Sequence, residues 1–410
     1  MRTRLEPRRR SVYAAASFAA LITIAIIALP EVSFRASLDG LRVWWEIVFP
    51  ALLPFFVASE VLMGLGVVHF IGALLEPLMR PLFGSPGVGA FALAMGLASG
   101  YPMGARITAR LRREGLCSRV EAERLVSFTN TADPLFMAGA VAVGMFHAPR
   151  LGPLLAASHY ISAILLGFLL KFYGRAEDER PTELYRRGES LLSRAAHELY
   201  TARKQDSRSF GQIFGDSIRE SVNTLLLVGG CIMVFSVIVR VLAVFHGTEL
   251  ISAPIAAILS PLGVSNKIIS PLVSGFFEIT IGSELASRAA APIAQRVVAT
   301  SAIIAWSGLS VFAQVASMVF GTDVRLTPYL AARTVHAALA GAAAIVLMRI
   351  WPLADNTVLA VGAAYTYPGF VSTLLNSCAS LGKLMGFGAA ATVVLAALAK
   401  PRYTAFRVRR

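Results

Sequence analysis

The chain has 410 residues, 56% of them hydrophobic and only 15% charged, with 38 Lys and Arg against 24 Asp and Glu for a formal charge of +14. So little charge over such a length, together with apolar runs beyond about 18 residues, excludes an ordinary soluble domain and points to several membrane-crossing helices. The basic residues gather in connecting segments and tails, where they orient a membrane protein and meet anionic lipid headgroups, so the positive excess does not imply nucleic-acid binding.

In chain order, Arg2, Arg4, Arg8, Arg9 and Arg10 precede the apolar run 11–30, which reads as a first span with the N-terminus in the cytoplasm. Residues 41–66 form a second span, and 69–83 an amphipathic surface helix. The stretch 86–147 then carries two interruptions, Ser99-Gly100-Tyr101-Pro102 and Asn130-Thr131-Ala132-Asp133-Pro134. The piece 86–98 supplies about 13 residues and roughly 20 Å of rise, short of the about 20 residues that a straight span needs. Irregular backbone at membrane depth persists only where protein or a watery cavity satisfies its polar groups. The basic run Arg106, Arg110, Arg112, Arg113, Arg119 and Arg124 follows, and it stays on the cytoplasmic side only if 86–103 enters and leaves by one face as a re-entrant hairpin.

Residues 121–145 form a second interrupted helix, 151–173 return to the cytoplasm, and 174–212 form a charged loop expected to be a solvated surface with some helix and without chemistry. The second half then repeats the first at an offset of roughly 175–180 residues. Thus 215–244 echo 41–66, the piece 266–277 broken at Glu278-Ile279-Thr280 echoes 86–103, and 295–320 broken at Ser307-Gly308 echo 121–146. Counting spans makes the two halves inverted. The expected fold is an all-α polytopic membrane protein of inverted structural repeats, each with a re-entrant helical hairpin and a discontinuous transmembrane helix. Its parts are 1–40, a first repeat 41–173, the loop 174–212, a second repeat 213–349, and 350–410 with a last span and a basic cytoplasmic tail.

Such architecture is the usual build of secondary transporters, with the substrate at the repeat interface. The downstream half-helices start near Met103, Leu135, Ile281 and Leu309, and if their N-termini converge they form an anion site. Candidate substrate-binding residues at the breaks are Ser99, Gly100, Tyr101, Thr129, Asn130, Thr131, Glu278, Thr280, Ser307, Ser310 and Gln314, with Ser283 and Trp306 nearby. Glu278 and Asp133 are acids in apolar surroundings and need a proton, cation or basic partner, which makes them the candidate ion-coupling groups. The coupling ion stays open between proton and sodium, and so does assembly into a homo-oligomer. Gly96 and Gly104 read as close-packing positions, Pro102 and Pro134 as setters of the breaks, His159 and His336 as packing histidines, and Arg333 as a residue snorkelling to the inner face. Cys117, Cys231 and Cys378 lack ligand spacing, so neither a metal nor another cofactor is expected. No catalytic motif or Walker A sequence is present, and an enzyme is not expected.

The ordered set Ser99-Gly100-Tyr101-Pro102-Met103-Gly104-Ala105, Glu121-Ala122-Glu123-Arg124-Leu125, Phe128-Thr129-Asn130, Pro134-Leu135-Phe136, Gly275-Phe276-Phe277-Glu278-Ile279-Thr280 and Trp306-Ser307-Gly308-Leu309-Ser310 resembles the YlbJ (SpoVV) family of sporulation integral membrane proteins over roughly residues 40 to 350. That family carries the nucleoside-recognition Gate domain, shared with concentrative nucleoside transporters and the membrane part of ferrous-iron transporters. The resemblance implies movement of dipicolinic acid, a planar dicarboxylate, across the outer forespore membrane. The alternatives are a nucleoside or other organic-anion transporter, or a non-transporting sporulation scaffold acting through 174–212.

Overall fold

The computed structural model describes residues 9–174 and 190–350. The final span and tail expected beyond 350 lie outside the described residues, as do most of the N-terminal basic tail and part of the charged loop. Helix α1 (Arg9–Ala28) gives way at Leu29 and Pro30 to α2 (Pro30–Val43), which runs on through a π-helical turn at Trp44–Val48 into α3 (Phe49–Gly64). Proline is tolerated at the first helical position because the amide it lacks has no intrahelical partner there. Helix α4 (Val67–Leu78) is followed by a π-helical turn at Met79–Phe83, by α5 (Gly89–Ser99) and by α6 (Met103–Arg113). Next come α7 (Arg119–Thr129), a π-helical stretch Phe136–Met145 and α8 (Leu151–Leu170). The second half holds α9 (Leu191–Gln205), α10 (Phe210–Val244), α11 (Gly247–Leu259), the pair α12 (Ile269–Phe277) and α13 (Ile279–Arg288), the pair α14 (Ile293–Trp306) and α15 (Gly308–Val319), and α16 (Leu326–Ile350).

No strand occurs among the described residues, and five helical stretches there are long and apolar enough to cross a membrane: Pro30–Gly64, Leu151–Leu170, Phe210–Val244, Ile293–Val319 and Leu326–Ile350. Leu226, Val234, Leu250 and Phe320 face outward, as apolar side chains do when lipid is the solvent. The chain is an all-α integral membrane protein. A long helix, a shorter helix, a packed helical pair and a broken helix occur in the same order in both halves, at the positions of the sequence echo.

Close approach of backbones builds the first half. Helices α5 and α6 pack on each other and on α7, with Gly96 and Gly104 both against the Thr129 carbonyl at the end of α7. A Cβ at either glycine would overlap that oxygen, so the small-residue spacing serves packing. A capping box starts α7: the Ser118 hydroxyl accepts from the Glu121 amide at 3.2 Å, and the Glu121 carboxylate accepts from the Ser118 amide at 2.9 Å.

The basic residues are put to structural use at one end of the molecule. Arg112 grips Asp323 with two bonds of 2.8 Å, and Arg325 grips Glu123 at 2.7 and 3.0 Å, so each pair joins the first half to the segment entering α16. Arg112 holds the Asp323 carboxyl below the usual carboxylate range. The described part of the charged loop is mostly exposed and holds one helix. Helix α9 docks on α4 through Arg194 and Glu76 at 2.6 Å, buries Ala195, and presses the Leu199 carbonyl against Gly66. Its other face keeps Leu192 and Tyr200 exposed.

Replacing Gly104 by Val is expected to destabilise the protein by about 1–3 kcal/mol or more, because the Thr129 backbone cannot retreat from the added carbon. Thermal melting in detergent checks this, with Gly211→Val, where nothing lies within 4 Å of the new Cβ, as the control.

Candidate functional site

Four helix ends meet in the interior. The first break, at the α5–α6 turn, has Gly100 at φ +67°, a conformation natural to glycine, with Asp133 packed directly against it. The second break runs from Asn130 to Pro134, where proline disfavours helical geometry in the residue before it. The third is the extended residue Glu278 between α12 and α13. The fourth is Ser307, held at φ +73° ahead of Gly308 at φ +80°. A left-handed serine is a sparsely populated conformation, retained where its surroundings over-determine it. Gly308 explains the tightness, since a Cβ there would lie 3.0 Å from the Phe277 carbonyl, the Glu278 Cα and the Ile279 amide. The third and fourth breaks are therefore in backbone contact, as are the first and second.

A cavity of about 60 Å³ sits at the first three breaks and beside the helix that leaves the fourth, lined by Tyr101, Ala132, Asp133, Glu278, Ile279, Thr280 and Gln314, with apolar walls from Val48, Leu52, Phe56, Phe136, Val228 and Val311. That volume holds a few waters and no larger solute. A wider crevice of about 810 Å³ lies beyond the second hairpin, lined among others by Asp39, Arg42, Glu46, Arg240, Glu249, Glu284 and Arg288. Ile281 and Ile47 face the crevice while Ile279 and Val48 face the cavity, so the hairpin tip and the π-turn partition the two. Arg240 pairs with Asp39 at 3.5 Å and Arg288 with Glu284 at 2.5 Å.

Of the expected site residues, Tyr101, Asp133, Glu278, Thr280 and Gln314 share the cavity. The others pack around it. Ser99 meets Ser59 at 3.3 Å, the Thr129 hydroxyl bonds back to the Leu125 carbonyl at 2.8 Å, and the Thr131 hydroxyl donates to the Gly96 carbonyl at 3.2 Å. Asn130 donates from Nδ2 to the Tyr329 hydroxyl at 3.0 Å and leaves its Oδ1 without a partner. The hydroxyls of Ser283, Ser307 and Ser310 are buried and without partners. Gln314 approaches the Cys231 sulfur at 3.7 Å, and the Trp306 indole donates to the Phe276 carbonyl at 3.0 Å.

The two acids cap helices. Asp133 Oδ1 accepts from the Leu135 and Phe136 amides at 3.0 and 2.8 Å, and Glu278 Oε2 accepts from the Ile281 amide at 2.8 Å. Two of the four positive helix ends expected to greet an anion are thus occupied by the protein's own carboxylates. The ends at Met103 and Gly308 carry no side-chain cap.

Arg333 overturns its sequence reading. It does not snorkel; it is fully buried, donating to the carbonyls of Asn130 (3.2 Å) and Ala305 and to the Tyr101 hydroxyl. Asn130 and Ala305 end the upstream halves of the two broken helices, where unpaired carbonyls and the negative dipole end both welcome a cation. Tyr101 in turn donates to the Ile304 carbonyl at 3.1 Å, and Tyr101 and Tyr329 present their rings to the guanidinium at 5.4 and 6.0 Å. The histidines are half-engaged rather than satisfied. His159 Nε2 accepts from the Ala132 amide at 3.0 Å, His336 Nε2 faces the His159 carbonyl at 3.1 Å, and both Nδ1 atoms lack partners. An arginine and a histidine three residues apart within an apolar run of 25 residues were the available signal for this cluster.

A family model described as nucleoside recognition (Gate) matches residues 45–170. The chain is 46% identical to the sporulation integral membrane protein YlbJ of Bacillus subtilis (strain 168) over 340 residues, covering 82% of each chain. It is also similar to solved structures of CNTnw at 15% identity. One is in an intermediate state, with 84% of this chain and 88% of that one covered and a TM-score of 0.44. Another is outward-facing, with 84% and 87% covered and a TM-score of 0.46.

Asp133→Ala is expected to cost about 1 kcal/mol through loss of the cap, whereas Asp133→Asn, itself a good cap, costs a few tenths. Detergent melting curves of the two variants, run side by side, separate the capping role from a purely electrostatic one.

Proposed function

The chain belongs to the family of the sporulation integral membrane protein YlbJ, and from that premise we propose that it is a membrane transporter of a small organic anion, dipicolinic acid, acting at the outer forespore membrane during sporulation. The observation that carries the reading is the convergence of three helix breaks, and of the helix that leaves the fourth, on one small, largely apolar cavity holding Asp133 and Glu278. Each half contributes a helical pair and a broken helix, which supports two inverted repeats meeting at a substrate site. The positive-inside rule puts the arginine-rich end of α6 in the cytoplasm, and applied to the basic sequences at 2–10 and 400–410 it assigns both termini there too.

The cavity is closed to a solute of this size, so transport requires the second hairpin to part from the core and join cavity to crevice. A doubly negative guest beside Asp133 and Glu278 also needs compensating charge, and a co-transported proton or sodium ion supplies it. A nucleoside is the second reading. It is favoured by the nucleoside-recognition match and by two carboxylates that suit sugar hydroxyls better than bare anions.

Proteoliposomes carrying the protein are expected to accumulate labelled dipicolinate. Glu278→Gln should lower the rate about tenfold or more, the scale of one lost charge-assisted hydrogen bond, with protein amount unchanged. Uptake of uridine without uptake of dipicolinate would select the second reading.

A further inference from the structure

We infer that Arg333 is the counter-charge for a substrate carboxylate and that Tyr101 masks it in this conformation. The inference rests on the transport reading above and assigns its anion-recognising group to a residue outside the cavity lining. Arg333 is fully buried, and no Asp or Glu among the described residues forms an ion pair with it. Its partners are two helix-end carbonyls and one neutral hydroxyl, and its Nε has none. Asn130, whose backbone accepts from Arg333, holds a side-chain Oδ1 that is likewise buried and unpartnered.

Tyr101 links this cation to the cavity. The Tyr101 ring lines the cavity, while its hydroxyl accepts from Arg333. A guanidinium presents parallel N–H groups that match the two oxygens of a carboxylate, and a charge-assisted pair is roughly twice as strong as a bond to a neutral hydroxyl. A carboxylate arriving through the cavity therefore displaces the tyrosine hydroxyl and takes its place on Arg333, leaving the bonds to Asn130 and Ala305 to hold the arginine in position. The surroundings suit an aromatic acid. Tyr329 sits 4.9 Å from Phe312, and Phe312 sits 5.1 Å from Trp306, giving a row of rings beside the guanidinium.

The test uses purified full-length protein and three probes: pyridine-2,6-dicarboxylate, pyridine-2-carboxylate and the neutral 2,6-dicarboxamide. Binding is read by tryptophan fluorescence in detergent and uptake in proteoliposomes. Tyr101→Phe keeps the ring and removes the competing hydroxyl, and it is expected to tighten binding of the dicarboxylate about fivefold or more while leaving the diamide unchanged. Arg333→Gln should bind the dicarboxylate no better than the diamide, and Arg333→Lys, which keeps the charge without the fork, should fall between. An unchanged dicarboxylate-to-diamide ratio in Arg333→Lys, or an unchanged dicarboxylate affinity in Tyr101→Phe, overturns the inference even if Arg333→Gln fails to fold. Arg333-dependent binding without uptake by the wild type sinks the transport reading and spares the assignment of Arg333. Uptake by the wild type with selectivity indifferent to Arg333 does the reverse, and absence of binding by the wild type sinks both.

Discussion

Helices that stop inside an apolar interior leave amides and carbonyls that lipid cannot satisfy, and the core of this protein is arranged around supplying their partners. Upstream halves end in carbonyls, and Arg333 collects two of them, from Asn130 and Ala305. Downstream halves begin in amides, and Asp133 and Glu278 each take one or two. Cation on negative end and anion on positive end is the favourable pairing at both kinds of terminus. Each of these three side chains thus has backbone partners of matching polarity, in a region where a polar group without one is costly.

That arrangement constrains the chemistry of the hollow between the breaks. Positive helix ends alone would make a cradle for anions, yet two are already capped by carboxyl groups that also line the cavity. The cationic counterpart is linked to the cavity by Tyr101. Tyr101 belongs to the first hairpin, Arg333 to the last described helix, and Ile304 and Ala305 to the fourth break's upstream helix, so this contact couples the halves at the site itself. A far pair of couplings, Arg112 with Asp323 and Arg325 with Glu123, does the same at the arginine-rich end.

Much of this was legible in the amino-acid sequence because breaks are local. Gly100-Tyr101-Pro102, Asn130 to Pro134, Glu278 and Ser307-Gly308 all announce lost helix through glycine, proline or polar residues in apolar runs, and the structure interrupts its helices there. The membrane class and the family were readable for the same reason. Arg333 was not, because its destination depends on the other elements. Two turns into an isolated helix, an arginine can reach water by stretching its side chain; packed against α8 and α14, it finds carbonyls nearer than the surface. The capping roles of Asp133 and Glu278 are local and could have been anticipated, since both stand two or three residues before the amides they accept from. The docking of α9 on α4 escaped because Arg194 and Glu76 are 118 positions apart and neither lies in a periodic pattern.

The partition between cavity and crevice follows from the same close packing. Gly275 sits against Ile303 of α14, and Gly282 lies against the Gly275 backbone across α12 and α13, where a side chain on Gly282 would overlap it, so the second hairpin behaves as one rigid piece. Its tip is held to the fourth break by the Gly308 contact and by the ring of Trp306 stacked on Phe276 at 5.3 Å, with few hydrogen bonds between. The first hairpin is bound more heavily, through Thr131 to Gly96, Tyr101 to Ile304 and Arg333 to Tyr101. A rigid piece held chiefly by shape leaves its seat at the cost of few hydrogen bonds, whereas moving the first hairpin would break the bonds of Tyr101 to Ile304 and Arg333 and of Thr131 to Gly96. Of the two hairpins, the second is the one whose displacement opens the hollow at the lower cost.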